Sequence, residues 1–520
     1  MATISEALAI AIQHHQAGRL QAAQYIYRQI LAAEPDHADA LHLLGAIAHQ
    51  MGNNDVAVEY IGRAIALKGT DATFHNNLGA ALNARGNLEQ AGACYRRALE
   101  LRPDFAEAHS GLGVVFQGQG NLDEAIACYR RALELKPDFA EAHSNLGVAF
   151  KDQGKLDEAI ACCRRAVQLR PDYAEAYSNW GAACVAQGKL DDAVACYRRA
   201  LQVQPDHAGA HWSLGLAYLL AGDWQRGWPE NEWRWGKKES LPQRFPQPVW
   251  NGEPLAGKTI LLHAEQGLGD TIQFVRYASV VRQRAAAVVV ECQKPLVGLL
   301  AECPGIDHLV AQGDALPAFD VHLRLLSVPG VVKTTVETVP ADIPYLFAKP
   351  ALVERWCTKL AALDGFKIGI SWQGNSKYRS DRVRSIPLRC FAPLAQIPGV
   401  RLISLQKGEG SEQVAAVRDL FPVVDFAEDL DQRSGPFMDT AAVMKNLDLV
   451  ISPDTVGAHL AGALGVPVWV ALPFAPDWRW LLHRPDSPWY PTMRLFRQKT
   501  AGDWAAVFAE IQAALMATRS

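Results

Sequence analysis

AEAHSGLGVVFQGQGNLDEAIACYRRALELKPDF, residues 106–139, is one turn of a pattern that returns every 34 residues. Pro35, Pro103, Pro137, Pro171 and Pro205 fall on that period, with Gly69 in the vacant place. Gly45, Gly79, Gly113, Gly147, Gly181 and Gly215 form a second series, and Gly18, Gly52, Gly86, Gly120, Gly154, Gly188 and Gly222 a third. Two helices fit between these marks. The first spans the second-series glycine and ends at the third; the second runs on to the proline, as in LDEAIACYRRALELKPD (122–138). Asp123 and Glu124 open that second helix and Arg130, Arg131 and Lys136 close it, which suits the helix dipole. Glycine stops one helix and proline the other.

The stretch resembles the tetratricopeptide repeat, whose pattern falls on Leu112, Gly113, Phe116, Ala125, Tyr129, Ala132 and Pro137. Six full repeats are expected over about residues 4–207, with a divergent seventh from 208 to about 240. The resemblance implies an α-solenoid, a right-handed superhelix lined inside by the first helix of each pair, that binds extended peptides or partner proteins. Asn77, Asn145 and Asn179 share one inner slot, with Gly111 interrupting. The array also resembles that of eukaryotic O-GlcNAc transferase, in which an asparagine ladder grips the acceptor backbone. An amide both donates and accepts, so a row of them suits any peptide main chain. Asparagine equally tolerates a half-exposed face, and the residues leave both readings open.

A chain of 520 residues exceeds one core and should divide into two or three domains. With 20% charged residues and a net charge of −4, nothing points to nucleic acid or an anionic membrane. No apolar run reaches the roughly 18 residues that span a bilayer. The opening MATISEALAIAIQHHQ lacks a basic n-region and reads as an amphipathic helix, so a cytoplasmic protein is expected. Cys94, Cys128, Cys162 and Cys196 lie 34 apart, in one repeated slot, and cannot pair with one another. They read as reduced core thiols, and the absence of CxxC spacing argues against zinc. Trp224, Trp228, Trp233 and Trp235 crowd the seventh repeat, and Trp250 follows. Such a surface closes an array end against the next domain more often than it stacks a ligand. The proline-rich residues 241–258 then form a linker.

From Thr259 the period vanishes and apolar runs alternate with helical patterns, which argues for parallel α/β sheets. Strands are expected at 259–262, 287–291, 308–310, 368–372, 402–405, 447–451 and 468–471, with a final helix near 504–517. Two doubly wound lobes would divide near 340–350, with a ligand cleft between them. Three loops carry chemistry. HAEQGLGD (263–270) has the form of a phosphate cradle but ends on Asp270, where a phosphate would sit. The helix dipole should hold this carboxylate ionised, as a base or merely as a cap. SPDTVGAHLAGALG (452–465) follows a strand; its helix N-terminus at Thr455 suits a diphosphate, and Gly457 permits close approach. Asp454 would repel that anion, so it suits sugar hydroxyls or capping of its own helix. His459 lies one turn on. The basic stretch at 377–384, with Lys377, Arg379, Arg382, Arg384 and then Ser385, reads as a phosphate contact or a solvated loop. Gln406 and Lys407 occupy a similar turn. The DLD at 429–431 lacks the strand context of a metal-binding Asp-x-Asp.

These loops, in order, resemble those of the bacterial heptosyltransferases of lipopolysaccharide core synthesis, over most of residues 256–515. The resemblance implies a GT-B-like pair of Rossmann-type lobes and no metal or cofactor beyond a nucleoside-diphosphate sugar as donor substrate. It makes Asp270 the base, with Gln266, Gly267 and Gly269 in the acceptor loop. It places the donor at Asp454, Thr455, Gly457 and His459, with a basic residue among Lys377 to Arg384 on the diphosphate; by position and polarity Ser385, Gln406 and Lys407 are expected donor contacts too. Repeats 1–240, linker 241–258, acceptor lobe 259–345 and donor lobe 346–520 follow. Repeats are foreign to that family, and PFAPDWRWLLHR (473–484) adds aromatic bulk with Phe474, Trp478 and Trp480. The expected function is transfer of a sugar to a protein that the repeats recruit. An inactive or sensing scaffold, or a glycan transferase, stands as the alternative.

Overall fold

The computed structural model describes residues 3–236, 244–377 and 381–519. The chain divides into two compact units, 1–205 and 206–520.

The first unit is six helical hairpins, from Ile4–Gln16 with Leu20–Ala33 to Ala174–Ala186 with Leu190–Val203. The glycine series mark the expected places for two different physical reasons. Gly120, past the end of Ala106–Gly118, has φ +83°, a conformation costly for any L side chain. Gly113 lies inside that helix, where a Cβ would come within 2.7 Å of Cε1 of Tyr129 on Leu122–Leu135. Period-spaced contacts join successive hairpins: His109 and His143 each place Nε2 3.0 Å from the carbonyl oxygen of Pro103 or Pro137. Within one hairpin, Lys136 at the end of the second helix pairs with Glu107 of the first at 3.0 Å. All ten cysteines are thiols, and Cys94, Cys128, Cys162 and Cys196 hold one slot, half-buried or buried. Among the described residues no helix is long and apolar enough to cross a membrane.

The second unit begins with a seventh hairpin, Ala208–Leu220 and Trp224–Asn231. That hairpin was expected to end the repeat domain, but it packs with the C-terminal residues because its tryptophans do. Trp224 stacks on Trp489 with centroids 5.2 Å apart, and Trp228 meets the edge of Trp478 at 5.4 Å. The Trp228 indole N–H donates to Thr334 O at 2.9 Å. The expected linker begins in residues 241–243, outside the described residues; farther along it, Trp250 is buried.

Two all-parallel sheets follow. The first has strands β1 Thr259–His263, β2 Ala287–Cys292, β3 His308–Ala311 and β4 Val321–Arg324, in the order β3-β2-β1-β4. The second has β5 Phe366–Ile370, β6 Val400–Ser404, β7 Leu449–Pro453, β8 Val468–Leu472 and β9 Met493–Arg497, in the order β6-β5-β7-β8-β9. The direction of winding reverses between β1 and β4 and between β5 and β7, where a crevice opens at the strand C-termini. The final helix, Trp504–Arg519, buries Val507, Phe508 and Ile511 in the core of the second sheet beside Ile368 and Leu402. Strands β4 and β9 lie outside the seven expected. VHLR and MRLFR each carry polar residues in a short run, so neither shows a continuous apolar signal.

Candidate active site

Both expected site loops leave the C-terminal ends of strands. HAEQGLGD follows β1 and opens the short helix Leu268–Phe274; SPDTVGAH follows β7 and opens the helix Val456–Ala463. The two helices meet through a glycine: a Cβ on Gly269 would stand 3.1 Å from Cδ2 of His459. The loops expected to hold acceptor and donor therefore adjoin.

Asp270 is fixed on both oxygens. Oδ2 accepts the Gly267 N–H at 2.9 Å, capping its own helix, and Oδ1 pairs with Nη2 of Arg479. Burial pushes its carboxyl above the ordinary range, while Arg479 and the Gly267 N–H pull the other way. The dipole of a short helix was expected to hold this group low; desolvation outweighs it. Gln266 accepts from Nε2 of Gln293 through its carbonyl oxygen at 2.8 Å, which anchors the loop.

Asp454 is buried, and burial raises its carboxyl to about 6, with Asp477 adding to the rise and Arg479 opposing it. It does not cap its own helix. Thr455 occupies that position, and its own side chain does not cap the helix. Thr455 Oγ1 instead lies 3.1 Å from Ser452 Oγ, which accepts from Ser371 Oγ at 2.8 Å across the β5–β7 crevice. Gly457 makes room there, because a Cβ would be 3.2 Å from Ser371 Oγ. His459 is enclosed: Nδ1 is 3.0 Å from the Tyr490 hydroxyl, Nε2 is 3.8 Å from Asp454, and the ring stacks on Trp480. Burial first, then Arg479, Arg276 and Arg384, drive its pKa well below the ordinary imidazole value, so it is neutral at pH 7.

The remaining expected donor contacts divide. Arg384 approaches the site, and its charge lowers the carboxyls of both Asp270 and Asp454. Within this stretch Asp381 pairs with Arg384 Nε at 3.1 Å and accepts from Ser385 Oγ at 2.8 Å. Lys377 is exposed, and Arg379 lies outside the described residues. Gln406 braces β5 and β6, its Oε1 accepting the Trp372 and Gln373 N–H groups at 3.1 Å. Lys407 donates to Leu430 O at 2.7 Å and faces Asp431. Asp431, of the DLD stretch, accepts the N–H groups of Asp439 and Thr440 and so caps the helix Met438–Met444. Among the described residues no group of three His, Cys, Asp or Glu side chains could hold a metal ion.

In the array, Asn77 Nδ2 lies 2.8 Å from His42 Nε2 and Asn179 Nδ2 donates to Ser144 Oγ at 3.0 Å, each tying its helix to the preceding hairpin. Asn145 is half-buried at the same slot. Gly111 interrupts the ladder because a Cβ there would be 2.4 Å from Tyr95.

Two buried arginines beside these loops lie outside the sequence motifs. Arg479 sits between two tryptophans in PFAPDWRW, and a cation framed by aromatic rings was the available signal. Arg276 is buried, donating to Trp489 O, to Pro340 O at 3.2 Å and to the Tyr345 hydroxyl at 2.9 Å. It fastens the turn after the Leu268–Phe274 helix to the residues beyond β8.

Tetratricopeptide-repeat models match residues 14–82, 80–120, 118–154, 140–173 and 181–222. The N-terminal region is a tetratricopeptide-repeat array. Protein FlbA of Caulobacter vibrioides is 28% identical over 339 residues, covering 57% of this chain and 53% of FlbA. The chain thus spans about half the length of that relative. Among solved structures, the Cut9–Hcn1 hetero-tetramer of APC/C is 20% identical over 41% of this chain and 43% of its own, with TM-score 0.39. MamA is 27% identical over 32% of this chain and 97% of its own, with TM-score 0.28.

Proposed function

We propose that the chain is a glycosyltransferase that moves a sugar from a nucleoside diphosphate to a protein acceptor held by the repeats. The observation that carries this reading is the meeting of the two strand-end loops at Gly269 and His459, which puts Asp270 and Asp454 around one guanidinium. Two parallel sheets with reversed winding suit the two lobes of a GT-B transferase, with the donor over the β5–β7 crevice. The helix N-terminus at Thr455, which that side chain does not cap, suits the diphosphate, supplemented by Arg384. Asp270 then takes the proton of an acceptor hydroxyl as its oxygen bonds to the anomeric carbon. The bond from that carbon to the diphosphate breaks, the nucleoside diphosphate leaves with the electron pair, and the configuration inverts. The array supports recruitment of a peptide segment, and the reaction so read requires no metal or further cofactor.

Purified protein should release nucleoside diphosphate from one of a panel of UDP-, GDP- and ADP-linked sugars. Asp270→Asn should lower that rate by about 10²-fold or more, the usual contribution of a positioned base. Unchanged release would remove Asp270 from the mechanism. The ion pair on Asp270 also suits a second reading, a repeat scaffold that senses a nucleotide sugar, because a neutralised carboxylate is a weaker base. Binding without turnover would select it.

A further inference from the structure

Arg479 uses every edge of its guanidinium. Nε donates to Gln273 Oε1 at 2.7 Å, Nη1 to Asp477 Oδ1 at 2.8 Å, and Nη2 to Asp270. Its faces are occupied as well, 4.8 Å from the Trp478 ring and 5.6 Å from the Phe274 ring. The side chain is 9% exposed. Gln273 and Phe274 belong to the same helix as Asp270, so Arg479 grips that helix at three points while itself standing on the loop after β8.

We propose that Arg479 is a positioning residue for Asp270: it fixes the orientation and the charge of that carboxylate from the opposite sheet. The inference rests on the transferase reading given above and adds a residue outside the motifs that support it. A carboxylate with one oxygen on Gly267 and the other on a braced guanidinium has one rotamer, and the unused lone pairs point in fixed directions. Lysine cannot replace this arrangement, because an ammonium lacks the planar fork that meets Gln273, Asp477 and Asp270 together.

The surrounding charges make the contribution measurable. Asp270 is acted on by Asp477 and Arg479 from the loop after β8 and by Arg384 from the 381–384 turn. Neutral His459 packs beside the adjoining Gly269, Asp454 acts on the same Arg479, and Gln273 lies on its own helix. Without Arg479, burial and Asp477 both favour the protonated acid, opposed by Arg384 and the Gly267 N–H. A base must be deprotonated to act, so its loss moves the acid limb of the rate profile upward.

The test is nucleoside diphosphate release between pH 5.5 and 8.5 by the full chain, with the same panel of UDP-, GDP- and ADP-linked sugars. Arg479→Gln should move the acid limb up by about one unit or more, so that the loss at pH 6 exceeds that at pH 8 by about tenfold, with KM little changed. Arg479→Lys, which keeps the charge and guards against a variant that does not fold, should keep the limb near its wild-type position while kcat falls about tenfold. An active wild type whose limb coincides with that of Arg479→Gln, or an Arg479→Lys variant with wild-type kcat, overturns the inference alone. A wild type that releases nothing overturns the transferase reading, and this inference with it.

Discussion

Asp454 and His459 are 3.8 Å apart at closest approach and respond to pH with opposite sign. The carboxyl, lifted to about 6 when folded, binds a proton that the unfolded chain releases near 3.8. Its contribution is therefore full below the unfolded value and is lost as pH rises from about 4 to 6. His459, depressed by burial, contributes fully above the ordinary value of 6.5 and loses that contribution as pH falls. In the wild type the two partly cancel. Asp454→Asn removes one side, so urea midpoints of that variant should drop more steeply from pH 7.5 to 4.5, by roughly 2–3 kcal/mol of stability. Equal drops in variant and wild type would show that Asp454 titrates near its ordinary value. Gly269→Ala tests the neighbouring contact, since the added Cβ lies 3.1 Å from the His459 ring. It should cost about 1–3 kcal/mol by overpacking and lower nucleoside diphosphate release more than a distant change of equal cost. Unchanged melting and release would show that the two helices have room to separate.

At the scale of elements, the repeats were legible because one period fixes both a close approach and a turn. Gly113→Ala should destabilise through contact with Tyr129, by about 1–3 kcal/mol. Gly120→Ala meets no atom within 4 Å, and its cost of about 1–2 kcal/mol comes from the backbone alone. Gly120→Asn should recover part of that cost because asparagine tolerates the left-handed region, whereas Gly113→Asn should be worse than alanine; urea melts that rank them otherwise would contradict the assignment. The strand-end loops were legible too, because glycine and a chemistry-bearing residue after an apolar run mark a turn at a sheet edge. What the residues could not show was which loop contacts are already taken. Lys407 reads as a free cation, yet it meets Asp431 and the Leu430 carbonyl from 23 residues away. Arg479 reads as one charge among aromatics, and its partners Asp270 and Gln273 lie more than 200 positions earlier. Long-range pairing of this kind leaves no local period.

Over the whole molecule, the boundary between units falls where apolar surface must be covered. Trp224 and Trp228 belong to the last helical hairpin by sequence, but their rings pack on Trp478, Trp489 and, through those, Phe274. A fragment beginning at residue 206 should therefore fold and retain release of nucleoside diphosphate. One beginning at residue 241 uncovers these rings and should aggregate or lose its cooperative melt, because aromatic burial on that scale is worth about 3–5 kcal/mol per ring. Equal behaviour of the two fragments would show that the seventh hairpin is dispensable to the C-terminal unit. The central claim is that Asp270 activates the hydroxyl that attacks a nucleotide sugar bound over the β5–β7 crevice. Its most direct test is nucleoside diphosphate release by the full chain and by Asp270→Asn, each with the panel sugar that raises the melting temperature most. The account predicts that both proteins are stabilised by that sugar and that only the wild type turns it over. A panel in which no sugar stabilises the wild type, or a variant that turns over at the wild-type rate, would contradict it.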